Sequence, residues 1–158
     1  MPTDADDDTD PALEGILTRA AEHPDDPDAR IAAAYACDRA GREHEAIRHY
    51  DAAWALGIPD HFRRRFLVGY GSTLRNVGRL EESVAILGEA VAAEPDYAPY
   101  KVFLGLALHS SGQHAAATAT LLAAALDLHG GARLDGFERA IAEYQQELLD
   151  RALAGQPR

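Results

Sequence analysis

The sequence predicts an all-α fold of stacked helical hairpins, and three observations predict it. Gly41, Gly78 and Gly112 recur at intervals of 37 and 34 residues. Small residues recur with them, since Ala34, Gly71 and Gly105 lie seven places before these glycines, and Ala46, Ser83 and Ala117 lie five places after. Large residues keep the same register: Tyr50, Leu87 and Leu121 follow nine places after each glycine, and Ala53, Ala90 and Ala124 follow twelve places after. A fixed period of this length marks an α-α solenoid, in which each unit is a helical pair that cannot bury its apolar face alone and stacks on its neighbours. Small residues belong where two helix axes cross, because a short side chain lets the backbones approach, and the bulky ones fill the adjoining holes.

The elements follow in order. Residues 11–22 read as a leading helix with Ile16 and Leu17 apolar, stopped by Pro24. Asp25, Asp26 and Pro27 then supply a capping acid and a proline at the first helical position, so a helix begins near residue 27 and ends at Gly41. Its partner spans about 43–56, closed by Gly57 and Pro59, with Asp60 the candidate cap of the next helix. Helices follow near 60–77 and 80–94, and the longer first interval places three extra residues at the start of the former, around His61, Phe62 and Arg63. The third pair falls at about 96–111 and 114–128, after which Gly130 and Gly131 break the pattern. A final helix is expected over roughly 134–152, with Leu134, Phe137, Ile141, Tyr144 and Leu148 forming one narrow apolar stripe and Arg139/Glu143 and Glu147/Arg151 pairing on the polar side. That stripe suits a cap over the last repeat; its spacing equally suits a dimer seam between two copies.

A chain of 158 residues, rich in alanine and aliphatic side chains with 7% aromatics, suits one domain of this kind. Residues 1–10 carry five aspartates and are expected to form a disordered acidic tail; residues 11–158 are expected to form the repeat domain, with repeats at about 27–59, 61–95 and 98–129 and a capping helix at about 133–153. The formal charge of −11 is concentrated at the start, where residues 1–28 hold ten acids against Arg19 alone. No stretch approaches the roughly 18 apolar residues of a membrane span, so no membrane association is expected. The beginning of the chain reads as neither a secretory signal nor a basic transit peptide, and with Cys37 the one cysteine, a cytoplasmic location is the expectation.

The register is similar to that of the tetratricopeptide repeat, which arranges small residues, a large apolar or aromatic residue and a terminal proline in this order over 34 residues. The second copy matches through Gly71, Leu74, Gly78, Leu87, Ala90 and Pro95, and the third through Gly105, Leu108, Gly112, Ala117, Leu121 and Ala124, with His129 in the proline's place. The first copy carries Ala34, Cys37, Gly41, Ala46, Tyr50 and Ala53, and Pro59 comes one place late. Arg30, Leu67 and Lys101 replace the family's opening tryptophan, a departure that points to a divergent bacterial subgroup. The resemblance, over residues 27–129, implies a right-handed superhelix and a non-catalytic adaptor or scaffold that binds a protein or peptide partner in a concave groove. The family's groove positions fall on Asp28, Ile31, Tyr35 and Asp38, on Arg65, Val68, Ser72 and Arg75, and on Pro99, Val102, Leu106 and His109. Some members grip a terminal carboxylate with lysines and asparagines; Ile31 and Tyr35 stand at the first two of those places, which argues against that specialised role. Self-association into a homodimer through Leu134, Phe137, Ile141, Tyr144 and Leu148 is the alternative.

Residue patterns for other chemistry are lacking. None of the seven histidines forms an i, i+4 pair or a His-Glu-x-x-His arrangement, so neither a metal site nor a cofactor is expected. Cys37 has no adjacent basic or cysteine partner and reads as a small buried hydrophobe rather than a nucleophile. The run Arg63, Arg64, Arg65 between Phe62 and Phe66 raises nucleic-acid binding, but successive helical residues point about 100° apart and form no single patch, so no nucleic-acid partner is expected.

Overall fold

A computed structural model describes residues 10–129 and 136–154, and among these it contains eight helices and no strand. The chain forms two compact units, divided between Arg63 and Arg64.

The first unit holds α1 (Pro11–Glu22), α2 (Pro27–Arg39) and α3 (Glu43–Leu56). Both of its leading helices start by the same device, an aspartate cap followed by proline. The Asp10 carboxylate accepts from the Ala12 N–H at 2.9 Å and Asp26 accepts from the Asp28 N–H at 2.9 Å, with Pro11 and Pro27 opening the helices behind them. Of the acidic run expected to be a tail, residues 1–9 lie outside the described residues, whereas Asp10 is this cap. Helix α1 packs on α2 through Ala20, Ala29 and Ala33, flanked by Ile16 and Leu17. Gly41, at φ 68°, turns the chain from α2 into α3, and the Arg42 N–H reaches back to the Cys37 carbonyl at 2.9 Å. That bond satisfies a carbonyl the helix end would leave open, and the left-handed conformation favours glycine.

The second unit takes up α4 (Asp60–Asn76) from Arg64 onward and adds α5 (Leu80–Ala93), α6 (Ala98–Ser110), α7 (His114–His129) and α8 (Glu138–Ala154). The same turn recurs twice: Gly78 and Gly112 have φ 84° and 81°, the Arg79 N–H donates to the Leu74 carbonyl at 2.8 Å, and the Gln113 N–H donates to the Leu108 carbonyl at 2.9 Å. The small-against-large register also repeats. A Cβ placed on Gly71 would lie 2.5 Å from Leu87 Cγ, and one on Gly105 would lie 2.7 Å from Leu121 Cγ, so each leucine occupies the hole its glycine leaves. In the first unit Ala34 and Tyr50 hold the equivalent places, and both are buried. Ser83, fully buried on α5, donates to the Gly71 carbonyl at 2.6 Å and ties α5 to α4 at the crossing. Helix α6 packs on α5 and α7, and α8 packs on α7.

Two details differ from the sequence reading. Asp60 is the first residue of α4 rather than its cap, where its charge still complements the positive end of the helix dipole. The last helix begins at Glu138, not near residue 134, because Gly136 stands at φ 85° just before it; Phe137 therefore precedes the helix, and Leu134 lies outside the described residues. Helix α4 is 17 residues long against 13 for α2 and for α6, so the extra residues of the first interval do lengthen its start.

Candidate functional site

Within the second unit, α4 and α6 present matching faces. Val68, Ser72 and Arg75 on α4 are partly exposed and fall within an arc of about 60° at 100° per residue. Phe66, Leu67, Tyr70, Thr73 and Leu74 occupy the other side and are buried. Thirty-four residues later, Val102, Leu106 and His109 repeat the face on α6, opposite buried Tyr100, Ala107 and Leu108. Leu106 is 37% exposed, unusual for a leucine flanked by core residues. Arg75 donates from Nη2 to Asn76 Oδ1 at 2.9 Å, and its Nε is buried with no hydrogen-bond partner among the described residues. The His109 ring lies against His114, with the two Nδ1 atoms 3.3 Å apart.

The arginine run divides its roles. All three arginines are exposed, and Arg64 pairs with Glu94 at 2.6 Å and sits 4.7 Å from the Tyr97 ring centroid. Both contacts tie Arg64 of α4 to the α5–α6 turn. Lys101, at one of the positions of the family's tryptophan, forms an ion pair with Asp127 that joins α6 to α7.

In the first unit the expected groove residues serve the α2–α3 hairpin. Ile31 is fully buried and is part of the core. Tyr35 meets Tyr50 edge to face at 6.1 Å, and the Tyr50 hydroxyl donates to Asp38 Oδ2 at 2.7 Å. Asp38 is thus held by its own hairpin partner.

The same hairpin brings together three side chains that the sequence reading did not connect. The Cys37 sulfur, a carboxylate oxygen of Glu45 and a ring nitrogen of His49 all lie within 4.8 Å of one another. Cys37 is completely buried, and burial, with Glu45 adding to it, pushes the thiol up to about 11. Burial likewise lowers the pKa of His49, with Arg30 adding to it, and so favours the neutral ring; its Nδ1 is buried without a hydrogen-bond partner among the described residues. Glu45 pairs with Arg42 at 2.5 Å. A signal was present in the sequence: Glu45 and His49 are four residues apart on one helical face, a spacing overlooked when only pairs of histidines are sought.

Phe137, just before α8, and Tyr144 on it are 66% and 63% exposed, while Ile141 and Leu148 are half-buried. The apolar stripe is therefore not wholly covered within the chain. Arg139 Nε donates to Glu143 at 2.9 Å and Arg151 donates to Glu147 at 2.5 Å along the polar side. No helix among the described residues is long and apolar enough to cross a membrane.

A family model described as Tetratrico peptide repeat matches residues 27–148 of the chain. Neither the curated proteins nor the solved structures contain a match to it.

Proposed function

This chain belongs to the tetratricopeptide repeat family, a family of protein-interaction modules, and from that premise we propose that it is a non-catalytic adaptor whose α4 and α6 faces bind a segment of a partner protein. The observation that carries the reading is the repeated half-exposed face, Val68, Ser72, Arg75 and then Val102, Leu106, His109, on two helices whose other sides are core. Its apolar members suit apolar anchors of an extended or helical segment, and Arg65 and Arg75 suit acidic groups beside them. In the first unit the same reading assigns Tyr35 and Asp38 to a face of that unit's own, beneath which Ile31 is fully buried. The single cysteine, free and buried, fits the reducing cytoplasm, which is where this adaptor is assigned.

The experiment is an affinity capture from native extract with wild type and an Arg75→Glu, Leu106→Ala variant whose helicity and melting match wild type. A protein held by wild type and released by the variant supports the reading; a protein held equally by both removes these faces from it.

A second reading is favoured by the exposure of Phe137 and Tyr144: the chain associates with a second copy through α8. Light scattering tests it. A dimer that Tyr144→Asp converts to a folded monomer supports this reading, and a monomer at high concentration removes it.

A further inference from the structure

We propose that Cys37, Glu45 and His49 form a ligand triad for a single divalent transition-metal ion of zinc's class, held in the α2–α3 hairpin. The three donor atoms already lie within 4.8 Å of one another. A tetrahedral zinc with Zn–S of about 2.3 Å and Zn–N or Zn–O of about 2.0–2.1 Å sets its ligands roughly 3.3–3.6 Å apart. Closing the triad therefore takes movements of about 1 Å at the donor atoms.

The internal repeat gives an independent comparison. The position of Cys37 is held by Leu74 and Leu108 in the other two copies, and that of His49 by Ile86 and Thr120. Leu74 is fully buried and Leu108 nearly so, so Cys37 stands in a core position where the fold itself asks for a leucine. In the first copy alone, a thiol and an imidazole stand together at these places on facing helices. The exchange costs stability, because His49 Nδ1 is left buried without a hydrogen-bond partner among the described residues. A soft or borderline metal accounts for placing those two residue types together.

Glu45 has a second role that the repeat also exposes. Glu82 stands at its place in the second copy and pairs with Arg79 at 2.6 Å, as Glu45 pairs with Arg42. The Arg–Glu pair thus recurs in two of the three hairpins, and the metal competes with Arg42 for the Glu45 carboxylate. On binding, the Cys37 S–H bond breaks, its proton passes to solvent, and the sulfur lone pair is donated to the ion. A thiolate and a carboxylate then offset the two positive charges of the metal, and neutral His49 completes three protein ligands. The fourth position is left for water or a partner's side chain. All-oxygen sites suit magnesium and calcium; a thiolate with an imidazole does not.

The test uses the full chain stripped of metal with a chelator and titrated with Co²⁺ alone, then with Zn²⁺ as competitor. The expected result is one equivalent of Co²⁺ giving a thiolate-to-cobalt charge-transfer absorbance that Zn²⁺ abolishes. Cys37→Ser and, independently, His49→Ile, which installs the side chain of the second repeat, should each lose it while remaining helical. Arg42→Ala, at an exposed position, should strengthen binding by releasing Glu45. Absence of the charge-transfer band in folded wild type overturns the proposal. Persistence of Co²⁺ binding in both Cys37→Ser and His49→Ile overturns it as well, since the ion would then belong elsewhere, for example on the aspartates of residues 1–10.

Discussion

Replacing Gly71 with alanine tests the packing that defines the repeat. The added Cβ would lie 2.5, 2.7 and 2.8 Å from Cγ, Cδ1 and Cδ2 of Leu87, where carbon atoms ordinarily rest about 3.5–4.0 Å apart. Leu87 is fully buried and meets the new methyl with its branch point as well as with its ends, so relief requires α5 to shift. Overpacking of this kind costs about 1–3 kcal/mol. Alanine in place of glycine inside a helix returns about 1 kcal/mol. The net expectation for Gly71→Ala is a loss of up to about 2 kcal/mol, or several degrees in melting temperature for a chain of this size. Gly105→Ala meets Leu121 at 2.7 Å and the Ala117 carbonyl oxygen at 3.3 Å; Leu121 is 37% exposed and can swing outward, leaving the milder carbonyl contact to offset the helix gain, so its expected net effect is near zero. In a Leu87→Ala background the clash is gone, and Gly71→Ala should become stabilising by about 1 kcal/mol. Urea denaturation followed by circular dichroism, with slopes compared to detect any loss of cooperativity, measures wild type and all four variants. If Gly71→Ala stabilises wild type as much as it stabilises Leu87→Ala, the crossing geometry is wrong.

Gly78→Ala should cost about 1–2 kcal/mol, because φ is 84° and nothing lies within 4 Å of the new Cβ, so the penalty is purely that of the left-handed backbone. Gly15→Ala, also in open space but within α1, should stabilise by about 0.5–1 kcal/mol; the opposite signs are read in the same denaturation series. Tyr50→Phe removes the 2.7 Å bond to the Asp38 carboxylate and should lower stability by about 1–3 kcal/mol, measured against wild type at neutral pH. In metal-free protein, Cys37 should resist alkylation at pH 8. It is completely buried, and a thiol raised from 9.0 to about 11 carries on the order of a hundred-fold less thiolate than an ordinary one; labelling at the rate of a free cysteine would refute this.

The helical pairs were legible in the sequence because their marks are local. Gly41, Gly78 and Gly112 have to be glycine-like where the chain turns at positive φ, and Asp26 with Pro27 announces a helix start by short-range hydrogen bonding and a fixed φ. The Gly71/Leu87 and Gly105/Leu121 crossings were legible because the repeat displays the same contact more than once. What was not legible depends on distance across a turn. Cys37 meets Glu45 and His49 only once α2 folds against α3, and each of the three has an ordinary explanation when read alone. Ile31 illustrates the limit of carrying over groove positions: the family's register puts it on the binding face, and the packing of this chain buries it completely. The start of α8 was misplaced because the apolar spacing from Leu134 to Phe137 continues the helical period, whereas Gly136 interrupts the backbone that would carry it.

The most direct test of the adaptor reading is a selection of random peptides on the full-length protein, with affinities of the enriched sequences measured by fluorescence polarisation for wild type and for the folded Arg75→Glu, Leu106→Ala variant. The account predicts enriched peptides that combine apolar anchors with acidic residues and bind the variant at least ten-fold more weakly. Enrichment of peptides that bind both proteins alike, or of none at all, would contradict it.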